Sequence, residues 1–271
     1  MRAMKTALVV MLLALPAQAA ERLAATGLDV KSLDDKGKTQ LLQLLDKYSS
    51  PCGRAHSLYT SLTTDKACRR APFAGRFLVF LVGLGLTPEE IAQHYEERFV
   101  KPNLGHCKPG GPIRGDEKAK LTVCEFSDFQ CPHCKAAEPI LKKLLDDYKG
   151  RVRLQFKNFP LSNHPDAKNA AAAEVAAGYQ GKFWPMHDRL FEHQDKMSAA
   201  DVERDARDLK LDLQKWSADL PAAAASVDAD RAEGMTLKID HTPTIYIGER
   251  EYRGPLRYEY LKDWVDEELA R

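Results

Sequence analysis

Apolar residues along this chain recur first at helical spacing and later in alternation, and the change of period divides it in two. Between Glu21 and His106 the pattern is helical throughout. Leu41, Leu42, Leu44 and Leu45 fall on one helix face. Ala55–Leu62 predicts a second helix, and Phe73, Phe77, Phe80, Leu81 and Leu84 mark a third. Thr87-Pro88-Glu89-Glu90 opens a fourth: Thr87 is the N-cap, Pro88 takes the first helical position, and Glu90 reaches back as a capping box. Ile91, Tyr95 and Phe99 form its apolar stripe, and Pro102 ends it. Lys108-Pro109-Gly110-Gly111-Pro112 has the composition of a linker.

Past the linker, strands and helices alternate. Leu121–Phe126 reads as a short buried strand, Ala136–Tyr148 as an amphipathic helix, and Val152–Phe159 as a second strand. An all-helical interval follows from Asp166 to Met235. It contains the alanine-rich Asn169–Ala177, a packed helix, and a further helix start at Ser198-Ala199-Ala200-Asp201. Strands return at Thr244–Ile247 and Glu251–Tyr252, and Leu256–Ala270 predicts a closing helix. Strands, helices and strands again imply one sheet with a helical insertion over about 166–235. The expected organisation is a helical domain over 20–107, a linker over 108–117, and an α/β domain over 118–271.

Composition changes this picture little. The chain has 271 residues, 44% hydrophobic and 29% charged, with a net charge of +1. It remains near neutral without Arg2 and Lys5, so there is no electrostatic case for nucleic acid or an anionic membrane as partner. The charged run Asp201–Lys210 reads as a solvated helix face. The first residues matter more. Arg2 and Lys5, the apolar run Ala7–Leu15 and the small-residue pattern Ala17-Gln18-Ala19 predict a secretory signal over 1–19, of bacterial style. A span needs about 20 apolar residues, so cleavage is expected rather than anchoring. Export places the protein in an oxidising space where disulfides persist.

The chemistry concentrates at Cys131-Pro132-His133-Cys134. The pair stands where an apolar strand gives way to a helix. Unpaired N–H groups and the helix dipole there favour a thiolate at Cys131. Pro132 suits the first helical turn, and Cys134 lies one turn on, deeper and able to bond Cys131. His133 can carry charge and donate to the thiolate. Zinc is not expected, because four ligands are wanted and the chain has a single Cys-x-x-Cys pair. Glu125, near the end of the strand, is an acid where burial is costly without a partner or a role.

The second block resembles the DsbA-like thiol–disulfide oxidoreductases of the thioredoxin fold. The residues that carry the resemblance are Glu125 through Cys134, Phe159-Pro160-Leu161, Gly181-Lys182-Phe183-Trp184 and His241-Thr242-Pro243-Thr244, in the family's order. The resemblance implies an α/β thioredoxin fold with an inserted helical domain. It implies a nucleophile at Cys131, open to solvent, and a hidden resolving thiol at Cys134. Glu125 becomes a buried acid that exchanges a proton with Cys134, and Glu138 a second acid near the site. Lys157 is read as a partner of either acid or as a surface residue of an edge strand. Thr242 and a cis Pro243 face the cysteines, and the backbone before the proline pairs with an extended client chain. Phe129 and His241 are candidates to line that groove. The family's Pro-His pair implies a disulfide donor whose only redox group is the Cys131–Cys134 disulfide, with no cofactor or metal. Reduced or unfolded exported proteins are its clients, and a membrane partner recycles it.

The other four cysteines allow three pairings. A Cys52–Cys68 bond across a helical hairpin is preferred. Cys124 is then expected as a buried inert thiol and Cys107 as free, as displacing a hairpin cysteine, or as bonded to another chain. The first block, from Arg76-Phe77 through Phe99, also resembles the three-helix periplasmic domain of CcmH, a cytochrome c maturation protein. Its Cys-x-x-Cys is broken here, since Gly53-Arg54-Ala55 follows Cys52. The expectation is therefore a periplasmic oxidoreductase that donates disulfides. An isomerase or reductase and a non-enzymatic chaperone or cytochrome-assembly adaptor remain the alternatives, with oligomeric state open.

Overall fold

The computed structural model describes residues 17–271, so the signal expected at the N-terminus lies outside the described residues up to Pro16. The chain forms two compact units, one reaching to Pro102 and the other spanning Asn103–Leu269.

The first unit is all helix: α1 (17–26), α2 (Asp35–Lys47), α3 (Leu58–Thr63), α4 (Ala71–Gly83) and α5 (Pro88–Tyr95), extended by a π-helical turn at Glu96–Val100. Local chemistry sets the starts. Asp34 caps α2, accepting from the Gly37 N–H at 2.7 Å, and Thr87 with Glu90 closes a capping box on α5. Leu41, Leu45, Leu58, Leu78, Ile91 and Tyr95 bury the apolar faces against one another. Cys52 and Cys68 are joined, with Cα atoms 5.8 Å apart.

The second unit is built on a five-stranded sheet: β1 (Ile113–Gly115), β2 (Leu121–Ser127), β3 (Val152–Asn158), β4 (Thr244–Ile247) and β5 (Arg250–Glu251), in the order β1-β3-β2-β4-β5. β2 and β3 are parallel, with Glu125 beside Phe156 and Ser127 beside Asn158. The remaining pairs are antiparallel. This is the thioredoxin arrangement that the resemblance implies. A parallel pair needs a crossover connection, supplied here by α6 (Pro132–Asp147).

α6 and the closing helix α11 (Tyr258–Ala270) share one core with the sheet, where Leu141, Leu144 and Trp264 meet Val123, Leu154 and Ile247. Period-2 alternation sends Cys124 and Phe126 to another core, with Phe159, Ile239 and Tyr246. Between β3 and β4 come α7 (Ala167–Gly178), α8 (Phe183–Glu192), α9 (Ala199–Asp208) and α10 (Leu213–Thr236). Their alanine-lined core takes in Phe129, Cys131, Cys134 and Phe156, so the cysteine pair lies at the seam between sheet and insertion.

The structure corrects several sequence readings. Residues read as linker include β1, which pairs with β3; three residues are too short to show a period. β3 is therefore interior, not an edge, and Lys157 is buried. It binds Asp230 and Glu233 of α10, each at 3.1 Å, and neither Glu125 nor Glu138. Cys124 is not a free thiol but is bonded to Cys107, Cα to Cα 6.2 Å. The segment before β1 runs along the sheet, with the Gly105 N–H donating to the Glu249 carbonyl, which brings Cys107 to the Cys124 side of β2. Within Asp201–Lys210, Asp205 is buried against His193 at 3.0 Å and Arg189 at 3.5 Å, so that face is only partly solvated.

Candidate functional site

β2 ends at Ser127, and a three-residue turn delivers Cys131 as the N-cap of α6, with Pro132 at its first position. The turn is clamped from several directions. The Asp128 carboxylate is buried and accepts from the Gln130 N–H (2.7 Å), the Leu161 N–H (2.7 Å) and His164 Nδ1 (2.9 Å). From the end of α8, the Gln194 amide donates to the carbonyls of Phe129 (2.7 Å) and Cys131 (2.9 Å). Asp128, Gln130 and Leu161 lie in segments that carry the resemblance, but their clamping role, and His164 and Gln194 altogether, escaped sequence reasoning.

The two sulfurs are both free thiols and occupy different environments. Cys134 is fully buried and receives the Asp128 N–H at 3.4 Å. Burial first, and then its hydrogen bond with Cys131, push its thiol well above the ordinary value. Cys131 moves the other way, down to about 5: hydrogen bonding from Cys134 leads, opposed by burial, and Thr242 and the backbone N–H groups of Cys134 and His133 add to it. His133 thus acts on the sulfur through its backbone, while its side chain is exposed. One expectation fails. Cys131 is only 4% exposed, packed into the core of the helical insertion, and the Thr242 carbonyl accepts from its Sγ at 3.3 Å.

The Thr242–Pro243 peptide is cis and faces the pair. Of the two residues expected to line the groove around it, Phe129 is turned away into the core. Phe129 is buried among Phe156, Phe191 and His187, and His241 is exposed beside Asp240.

Glu125 is fully buried beneath the cysteines and accepts from Ser127 Oγ at 3.0 Å; its Oε2 has no partner. Burial leads in pushing its carboxyl up to about 8, with the Glu138 charge adding and His187 opposing. Glu138, the second acid, is also buried and binds His187 Nε2 at 3.0 Å. His187 was not singled out in the sequence, although its spacing from Phe183, Leu190 and Phe191 places it on the buried face of α8.

Such a site can hold a thiolate beside a disulfide partner and keep a protonated acid below it. Glu138, His187 and Asp188 form an acid–imidazole cluster, but Arg114 and Lys142 already occupy its carboxylates. A cavity of about 940 Å³ in the first unit, lined by Ser32, Asp34, Lys36, Thr39, Gln43 and Val82 among others, holds no cysteine or histidine.

A family model described as thioredoxin matches residues 108–267. Among solved structures, a thioredoxin-like oxidoreductase from Silicibacter pomeroyi is 28% identical, covering 60% of this chain and 95% of its own, with a TM-score of 0.56. BdbD from Bacillus subtilis, in its oxidised form, is 27% identical over 59% of this chain and 92% of its own, with a TM-score of 0.54. The catalytic domain of ScsC from Proteus mirabilis shares the fold at 22% identity and a TM-score of 0.53, covering 68% of this chain and 98% of its own. A curated relative named Na(+)/H(+) antiporter NhaA 3, from Salinispora tropica, is 40% identical over 167 residues, 60% of this chain and 24% of its own length. The antiporter NhaA 1 of Salinispora arenicola is 37% identical over 63% of this chain and 26% of its own length. The chain therefore spans about a quarter of the length of the curated relatives it matches.

Proposed function

We propose that this chain, which belongs to the thioredoxin family and carries a DsbA-like thiol–disulfide oxidoreductase domain, is an exported oxidase that introduces disulfides into client proteins through Cys131 and Cys134. The observation that carries this reading is the opposition of the two thiols, one held near 5 and the other pushed up by burial. A stabilised Cys131 thiolate favours the reduced protein, which makes the Cys131–Cys134 disulfide a strong oxidant.

In the forward reaction a client thiolate attacks Cys131 Sγ of the disulfide. The S–S bond breaks, Cys134 leaves with the electron pair, and Glu125 gives it a proton. A second client thiolate then attacks the client sulfur of the mixed disulfide. The client is oxidised by two electrons, and Cys131 departs as the thiolate that the helix start holds. Pro132 and the His133 and Cys134 N–H groups shape that start, and the backbone at Thr242–Pro243 offers an extended client a strand to pair with. The redox disulfide is the only reactive group the cycle needs. A membrane partner would reoxidise the pair in the periplasm.

Equilibration with glutathione tests the direction. A potential on the order of −120 mV supports an oxidase, whereas one near about −270 mV would assign a reductase. Replacing Cys131 by Ser should abolish oxidation of a reduced client, and full retention would favour the chaperone or adaptor reading.

A further inference from the structure

His187 has no role in the reaction as written, and it is as fully enclosed as Glu125 and Glu174 beside it. It is fully buried, within a wall of rings: Phe156 with centroids 4.6 Å away, Trp184 at 5.0 Å, Phe191 at 5.1 Å and Phe129 at 5.6 Å. Each ring nitrogen faces a carboxylate. Nδ1 lies 2.8 Å from Glu174 of α7, and Nε2 lies 3.0 Å from Glu138 of α6. A neutral imidazole has one N–H and one lone pair. Set between two carboxylates, it would turn that lone pair against an anion. The geometry therefore calls for an imidazolium, or for one proton shared along the three groups.

The surroundings make this charge matter. Arg114 of β1 and Lys142 of α6 reach the far side of Glu138 at 4.0 and 3.5 Å and also pair with Asp188 on α8. They serve the outer rim. Asn158 of β3 donates to the other oxygen of Glu174 at 3.1 Å. Glu125 of β2 lies on the inner side, with one oxygen unpartnered. Three buried acids, Glu125, Glu138 and Glu174, thus surround one buried ring that can be positive.

We propose that His187 is a positioning residue for the exchange reaction: held between Glu138 and Glu174, it supplies the buried positive charge that decides when Glu125 gives a proton to Cys134 or takes one back. The proposal rests on the oxidoreductase reading and deepens it. The direction of its influence is fixed by charge. The cation favours ionised Glu125, and the Glu174 carboxylate opposes it.

Single-turnover reaction of the oxidised full chain with one reduced peptide, followed across pH, reads the Glu125 limb. His187→Gln should move its midpoint up by about one pH unit, and Glu174→Gln should move it down. Both shifts should vanish in a Glu125→Gln background. Structural damage would push both variants the same way, so shifts of like sign, or none, would overturn the proposal. Nitrogen NMR on the unaltered protein gives a second reading. The His187 ring should stay imidazolium through neutral pH and titrate near 9, since burial, which lowers it, is outweighed by the hydrogen bonds to Glu138 and Glu174. A neutral ring at pH 7 would overturn the proposal. If the wild-type protein oxidised no peptide, the oxidoreductase reading would fall by itself. The infrared carboxyl band of Glu125, which needs no turnover, would then report the same opposed shifts, or refute them.

Discussion

Cys131 and Glu125 are pulled from their ordinary ionisation in opposite directions within one turn of chain, and each makes a distinct prediction. The thiolate absorbance of reduced protein should grow in with a midpoint near 5, leaving Cys131 ionised at neutral pH. The same titration on Cys131→Ser should lose that step. For Glu125, burial is the leading cause that raises the carboxyl from 4.5 to about 8. An acid raised in the folded state favours folding only while protonated, so stability falls as pH climbs from about 4.5 through about 8. Glu125→Gln should therefore stabilise the reduced protein at pH 8, by on the order of 4 kcal/mol, and leave it unchanged at pH 4. Denaturant unfolding at the two pH values checks both halves.

At the scale of elements, α8 and α10 do what no single residue of the motif can. α8 ends beside Gln194, whose amide spans two carbonyls of the catalytic turn. Gln194→Ala takes that donor from two part-buried acceptors, of which the Cys131 carbonyl keeps the Lys135 N–H. It should cost roughly 1–3 kcal/mol and slow client oxidation in proportion to the mobility gained at Cys131. α10 presses Gly234 against Phe159. A Cβ there would meet the ring at 2.6 Å, so Gly234→Ala should destabilise by about 1–3 kcal/mol through overpacking, measurable by thermal melting. These contacts also show what the sequence could reveal. The capping box at Thr87 and the Ser198 start are local chemistry, and the helices begin there. The alternation in Val152–Asn158 marks β3 for the same reason. Ile113–Gly115 becomes a strand only because β3 offers it an edge. Lys157 finds its anions on a helix more than seventy residues away, a distance over which no local pattern speaks. Cys107 and Cys124 carry no spacing rule that pairs them, whereas Cys52 and Cys68 bracket a hairpin.

Across the whole molecule, the two units bury separate apolar residues, one cluster in the first and three in the second. A chain starting at Asn103 should fold cooperatively and oxidise a reduced peptide at a rate close to that of the longer chain. Within it, the Cys107–Cys124 bond closes a loop of 17 residues. Replacing both cysteines by Ala should cost about 3 kcal/mol in the loop-entropy view, read from the shift in urea midpoint. The near-complete burial of Cys131, with the Thr242 carbonyl against its sulfur, also bears on how long the protein survives in use. An ionised sulfur is ordinarily the first casualty of peroxide. Here the anion is almost walled off, so damage is governed by reach rather than acidity. Peroxide should form sulfinic acid at this cysteine more slowly than at an exposed thiol of equal acidity, and bulky maleimides should lag behind iodoacetamide. An extended polypeptide differs from these reagents in that it can hydrogen-bond the Thr242–Pro243 backbone and displace the carbonyl from the sulfur as it binds.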